Sequence, residues 1–253
     1  MRLLAGALLC VALMAPAAAD DSPAFLASAK DAATQLKLHL DRVAKAGGRP
    51  DFSTAPASDL FARVFDFKQL AALPPAAAKD VVWINTWLSI ASQAGKSITY
   101  FGVSAPVDPV ADQAAIIRNL TEYEDQDVAV FDFLIRVAAR EVETMYLYMD
   151  QLEPEQRTPI REQGFASARV GAEEIVYGSL IMIAQGMKEA NARRLSAAIN
   201  DSRDVWVVDV LPKDRAIILA AVAKAEEAMN DEEARRSLAS FAAALATAQA
   251  AAR

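Results

Sequence analysis

Apolar side chains recur every three to four residues along nearly the whole chain after about residue 20. This is the spacing of one face of an α-helix, and runs of β-branched residues are short. The first apolar stripe spans about residues 23–46 and is followed by Gly47-Gly48, a helix-ending signal. The pattern predicts an all-α, multi-helix bundle. The inward stripe of the first helix is predicted to comprise Phe25, Ala29, Ala32, Leu36, Leu40 and Val43.

Capping residues divide the rest of the chain into further helices. Asp108-Pro109 and Thr158-Pro159 each combine an N-cap residue with proline at the first helical position. The apolar stripe weakens in the acidic stretch 121–127, so we expect the helix that begins at Pro109 to kink or break there. The later helices are predicted to begin at Ser58 and Asp66 and then to cover about 76–101, 109–152, 159–190, 191–200, 213–229 and 231 onward.

The segment 205-VWVVDVL-211 is the one place where a β-strand competes with a helix. Its four valines favour a strand, but no other segment offers a partner strand. A helix or an extended connector is therefore the favoured prediction.

The helix predicted over about 159–190 is rich in glycine, although each glycine inside a helix costs about 1 kcal/mol relative to alanine. On a helix of 3.6 residues per turn, its glycines fall within an arc of about 80°. The favoured interpretation is a seam at which a neighbouring helix approaches closely, on a buried central helix. A slot for a flat or chain-like ligand is the alternative. The glycines are Gly164, Gly171, Gly178 and Gly186.

The first residues have the layout of a secretory signal peptide. Arg2 precedes an apolar run over 3–14, and small residues follow, with cleavage predicted between Ala19 and Asp20. Residues 1–19 are therefore predicted to be removed on export. We expect the mature protein to lie in a bacterial periplasm, or otherwise to be secreted.

Cleavage would also remove Cys10, the only cysteine in the chain. A mature chain without cysteine has no disulfide, so its core alone must stabilise it. We predict one all-α domain over 20–253. The segment 102-GVSAPVDP-109 is the best internal linker, where two sub-bundles would separate.

The charge balance argues against two classes of partner. The chain has 26 Lys and Arg against 33 Asp and Glu and no conspicuous basic run, so nucleic acid and anionic membrane surfaces are poor candidates. The apolar part of the glycine-rich helix, bounded by Glu173 and Glu174, is too short to span a bilayer. We expect no membrane insertion of the mature chain.

Few catalytic motifs are compatible with this composition. One histidine, His39, and one cysteine exclude a Cys-His pair in the mature chain, the usual zinc sites and the paired Glu-x-x-His ligands of di-iron bundles. Glycine-rich phosphate loops, H-E-x-x-H and G-x-S-x-G are absent from the sequence. We therefore assign no catalytic residue, no cofactor and no metal ligand.

Carboxylates are the remaining route to a chemical site. The acids in 121–127 would suit a hard cation such as calcium, but they lack the spacing of a calcium loop. A solvated helix face, with Arg118 paired to Glu122, is favoured instead. Asp132 and Asp209 lie in apolar surroundings, as an acid with a perturbed pKa would, although Arg136 offers Asp132 a simple ion pair.

Aromatic, methionine and glycine side chains are the weak candidates for ligand binding or helix packing. The leading hypothesis is a non-enzymatic interaction or scaffold protein of the cell envelope that binds a protein partner through its helix faces. A periplasmic carrier or sensor for a small apolar ligand is the alternative, and a carboxylate-based enzyme comes third. The oligomeric state is left open. The candidate residues are Trp83, Trp87, Tyr146, Met149, Gly164, Gly171 and Gly178.

Overall fold

The computed structural model describes residues 23–104 and 106–251, with side chains described as far as residue 248. Within these ranges the chain forms α-helices and no β-strand, which confirms the all-α multi-helix prediction. The predicted signal peptide, including Cys10, lies outside the described residues. The helices are α1 Ala24–Lys45, α2 Ala57–Val64, α3 Phe67–Ala71, α4 Val81–Thr99, α5 Pro109–Glu122, α6 Glu124–Asp150, α7 Pro159–Ala184, α8 Glu189–Asp201, α9 Arg203–Asp209, α10 Arg215–Ala228 and α11 Glu232–Ala251.

Local capping chemistry explains several helix starts. The Asp66 carboxylate accepts a hydrogen bond from the Gln69 backbone N–H at 2.9 Å, and Asp108 caps α5 in the same way through the first N–H groups of that helix. Such bonds satisfy backbone donors that a helix leaves unpaired at its N-terminus. Residues 203–209 are helical as α9, so the valine-rich segment is mainly helix and not strand.

The break expected in the acidic stretch is present. α5 ends at Glu122 and α6 begins at Glu124, with Tyr123 between them at φ −108° and ψ 29°. The Tyr123 side chain is buried, so the break also places an aromatic ring in the core.

α6 is the most deeply buried long helix of the described chain. It packs against α4 on one side and against α7, α8 and α9 on the other, so it joins the N-terminal helices to the C-terminal ones through one continuous apolar core. α7, which we expected to be central, packs mainly against α6 and α10 and leaves much of its N-terminal half exposed. The division into two sub-bundles near 102–109 stays a prediction.

The close helix approach predicted at Gly171 is wrong. A Cβ atom added at Gly171 would meet nothing within 4 Å, and one at Gly178 would make only an ordinary contact with Phe131 at 3.7 Å. Gly186 lies beyond the end of α7, where its φ of 86° suits a glycine that stops a helix before residue 190. The close approach is elsewhere: a Cβ at Gly95 would lie 2.5 Å from Val130 Cγ1, between α4 and α6.

Two matched substitutions test this relocation of the tight contact. Gly95→Ala should lower the free energy of unfolding, because overpacking a rigid β-branched neighbour costs about 1–3 kcal/mol and outweighs the gain in helix propensity. Gly171→Ala should raise it by about 0.5–1 kcal/mol, because the added methyl group has room. Urea unfolding followed by circular dichroism measures both.

Adding Val130→Ala to the Gly95→Ala variant should recover part of the loss that overpacking causes. A Gly95→Ala variant as stable as the wild type would contradict the α4–α6 contact. A strongly destabilised Gly171→Ala variant would restore the predicted seam.

Among the described helices, none has the combination of length and apolar character needed to cross a bilayer.

Candidate functional site

The two candidate tryptophans on α4 are packing residues. Trp87 is fully buried, and its ring centroid lies 4.7 Å from that of Phe25 and 5.2 Å from that of Phe133. Trp83 is partly exposed and donates its indole N–H to Asp80 at 3.1 Å. Both indoles help to join α1 to α4 by aromatic contacts.

The candidates on α6 lie in a different environment. Tyr146 packs edge-on against Phe165 of α7 at 4.8 Å, and the Arg169 guanidinium lies 5.8 Å from the centre of the Tyr146 ring. Met149 is half-buried one residue before the end of α6, and Gly164 is buried on α7. The aromatic contacts of Tyr146 are thus separate from those of the tryptophans.

The cavities lined by described residues include a larger and a smaller one. The larger, of about 570 Å³, lies between the C-terminal halves of α1 and α4, and the smaller, of about 60 Å³, lies where α7 and α8 meet the connection between α10 and α11. Neither cavity is lined by Trp83, Trp87, Tyr146 or Met149. The sequence candidates therefore do not mark these cavities.

Buried carboxyl groups form a cluster between α6, α7 and α9, centred on Asp209 and Arg169. Asp209 is 0% exposed, and its carboxylate accepts a hydrogen bond from Arg169 Nε at 2.8 Å. The same guanidinium also donates to the Asp209 backbone carbonyl. Burial raises the pKa of Asp209, although Arg169 opposes the shift. The apolar surroundings of Asp209 in the sequence correctly indicated a perturbed acid.

Two glutamates complete the carboxyl cluster. Burial raises the pKa of Glu141 to about 7, and the negative charge of Asp209 adds to this rise. The Asn85 amide, which donates a hydrogen bond to Glu141 at 2.5 Å, opposes the rise. Burial also raises the pKa of Glu173 to about 7, against the effect of the Leu211 N–H that donates to it at 2.7 Å. These bonds fasten α4 to α6 and the end of α9 to α7.

The hydrogen bonds of the carboxyl cluster give it a structural role, because they join helices to one another. It borders neither of the cavities described above, and within 23–104 and 106–251 no three Asp, Glu, His or Cys side chains are placed to hold a metal ion. Sequence reasoning missed Glu141. It could have been found, because Glu141 continues the helical stripe of Ala138 and Met145, where an apolar residue is expected.

The acidic stretch 121–127 is only partly the solvated helix face that we predicted. Glu122 pairs with Arg49 and not with Arg118. The carboxylate of Glu124 accepts hydrogen bonds from the Lys188 backbone N–H at 2.9 Å and from the Asn191 amide at 2.7 Å, at the start of α8. These acids dock one helix onto another.

Asp127, the last acid of this stretch, is buried and accepts a hydrogen bond from Thr99 Oγ1 at 2.8 Å. Burial raises the pKa of Asp127 to about 7, although Thr99 opposes the shift. Its position tightens the α4–α6 contact near the end of α4.

The ion pair predicted between Asp132 and Arg136 is present at 2.7 Å. Asp132 is buried and also accepts from Arg194 Nε of α8 at 2.6 Å, and the Arg194 guanidinium lies over the Phe67 ring. Asp132 is therefore balanced by two arginines, which explains how a carboxylate is accommodated in the core.

The inward side of α5 carries two polar residues, Asp112 and Asn119, beside the buried Ala115. Asn119 is buried and donates to the backbone carbonyls of Thr99 and Phe101 at 3.1 and 2.7 Å, which are among the carbonyls that α4 leaves unpaired at its end. Asp112 is buried and accepts from the backbone N–H groups of Ser104 and Asp108 at 2.9 and 2.8 Å. Hydrogen bonds, not apolar packing, are the main attachment of α5.

The opposite side of α5, here called the outer face, consists of Val110, Ala114, Ile117 and Thr121. These residues follow each other at helical spacing, and Val110 is 80% and Ile117 51% exposed. Val107, just before the helix, is 74% exposed. Apolar side chains that stay exposed add no stability to the free protein. The outer face is therefore the strongest candidate interaction surface.

A scan against protein-family models and searches of curated proteins and of solved structures found no match to this chain.

Proposed function

We propose that this protein is an exported, non-enzymatic interaction or scaffold protein of the cell envelope, and that it binds a partner protein through the outer face of α5. One observation carries the proposal: α5 buries Asp112 and Asn119 and exposes Val110 and Ile117. Its polar side has a structural role, because it bonds the end of α4 and the segment before α5. The apolar side has none in the described chain, and a partner that covers it would supply one.

The size and charge of the outer face favour a single amphipathic helix as the occupant. The face is a single stripe of about three helical turns, or about 16 Å, which matches the length and width of one partner helix. Arg118 borders the face, is exposed and forms no ion pair with another described residue. A partner helix with an apolar stripe and a carboxylate beside it would complement both features.

Site-specific photo-crosslinking in the native envelope tests the proposal. A crosslinking side chain at Ala114, in the middle of the outer face, should give one adduct with a protein whose crosslinked peptide is an amphipathic helix. The same side chain at Lys224, an exposed position on α10, should not give that adduct. The mature protein recovered from the periplasmic fraction should begin at Asp20.

Val110→Glu together with Ile117→Glu should remove the Ala114 adduct. Because both side chains are largely exposed, these changes should alter the free energy of unfolding by no more than about 1 kcal/mol. An adduct with lipid or with a second copy of this chain would overturn the proposed occupant, and so would an adduct that survives the double substitution. Absence of any adduct would overturn the interaction itself.

A further inference from the structure

The larger cavity is a groove whose walls come from two helices and the turn that follows them. Leu40 and Ala44 of α1 face it from one side, and Lys96 of α4 faces it from the other. Gly102, with φ 72°, turns the chain at the end of α4, so that Phe101 and Val103 close the groove at one end. Its volume of about 570 Å³ lies within the range of roughly 300–1,000 Å³ that is typical of small-molecule sites.

The walls of the groove combine an apolar floor with a polar rim. Leu40 and Phe101 are buried beneath it, and the ring of Tyr100 is 38% exposed beside it. Lys37 and Asp41 stand on the rim and form an ion pair of 2.8 Å, so their charges cancel.

Lys96 is the charge of the groove that no neighbour balances. Its side chain is half-buried, and within the described chain its ammonium has neither an ion-pair partner nor a hydrogen-bond acceptor. Burial lowers the pKa of Lys96, because partial removal of the ammonium from water disfavours its charged form. Lys96 nevertheless lies in the last turn of α4, where the helix dipole favours a positive charge.

We propose that the groove between α1 and α4 binds a small amphipathic organic anion. The acid group of the ligand meets the Lys96 ammonium, and its apolar body lies on Leu40 and Phe101 beside the Tyr100 ring. A neutral apolar ligand would leave the Lys96 ammonium partly dehydrated and unpaired, whereas a carboxylate or sulfonate provides the missing acceptor. This site is independent of the outer face of α5.

A matched pair of ligands tests the proposal by isothermal titration calorimetry of the mature chain. 2-Naphthoate and 2-naphthamide have nearly the same shape, but only the first carries a negative charge. We expect 2-naphthoate to bind at least 10-fold more tightly than 2-naphthamide. Lys96→Met should weaken 2-naphthoate binding at least 10-fold and leave 2-naphthamide binding unchanged.

Two further variants keep the test decisive. Lys30→Met removes an exposed charge from α1 outside the groove and should change neither affinity. Tyr100→Ala should weaken both ligands, because it removes an apolar wall that is not part of the core. Equal affinities for the two ligands would overturn the proposal. So would an equal effect of Lys30→Met and Lys96→Met on 2-naphthoate affinity. Failure of 2-naphthoate to bind at millimolar concentration would also overturn it.

Discussion

Replacing Arg169 with methionine should lower the free energy of unfolding at pH 8 by about 3–5 kcal/mol, which is the usual cost of leaving a buried carboxylate without its cation. Asp209 is completely buried, and its only ion-pair partner among the described residues is Arg169, at 2.8 Å. At pH 5 the loss should be smaller, because the isolated Asp209 can take up a proton instead of staying charged. Urea unfolding at the two pH values measures the difference.

Arg136→Met is the matched control. It also removes an arginine from a buried aspartate, but Asp132 keeps its second partner, Arg194, at 2.6 Å. Its effect should therefore be clearly smaller than that of Arg169→Met. Adding Asp209→Asn to Arg169→Met should recover part of the lost stability at pH 8, and a double variant no more stable than Arg169→Met alone would contradict the pairing.

The second large effect concerns pH. Glu141, Glu173 and Asp127 each have a pKa of about 7 in the folded protein, above the ordinary carboxyl value. The folded state then holds protons that the unfolded state has released, so stability should fall as the pH rises from about 4.5 to about 7. For a fully buried group such as Glu141, the difference is on the order of 3 kcal/mol.

Glu141→Gln isolates one of these contributions. The amide keeps an oxygen to accept from Asn85 and cannot ionise, so the variant should be more stable than the wild type at pH 8 and nearly equal to it at pH 5. Glu143→Gln, two residues further along α6, changes an exposed carboxylate and should have little effect at either pH. The urea midpoint of each protein is measured at both pH values. If the midpoint of Glu141→Gln depends on pH as strongly as that of the wild type, this account is refuted.

Other carboxyl groups act in the opposite direction at lower pH. The Arg193 guanidinium and the Ala234 backbone N–H lower the pKa of Asp231 to about 2. The stability that comes from this group is complete above about pH 4 and is lost as the pH falls through about 2. Maximum stability is therefore expected in mildly acidic solution.

The parts of the fold that depend on neighbouring residues could be predicted from the sequence. Asp66 and Asp108 cap the helices that they were expected to cap, because capping involves only the next few residues. The break at Tyr123 was indicated by the weakened apolar stripe in the same segment. The helices of the fold were therefore largely predictable, with boundary errors such as the end of α7 at Ala184 instead of about residue 190.

Features that depend on distant partners could not be predicted in the same way. The angular positions of the glycines around the α7 axis show that they share one side of the helix. They do not show the distance from that side to the neighbouring helix. Asp209 was recognisable as an unusual acid, but its partner Arg169 lies 40 residues away in the sequence. On α5, Asn119 lies inside because it bonds the carbonyls at the end of α4, and these acceptors come from a different helix.

The polar attachment of α5 also affects how the molecule can open. Separating α4 from α6 exposes a large apolar interface, so that motion is coupled to global unfolding. Releasing α5 breaks the hydrogen bonds of Asp112 and Asn119, and no side chain of α5 belongs to that apolar core. α5 is thus built to detach as a local unit whose opening depends only weakly on denaturant, while the rest of the core remains folded.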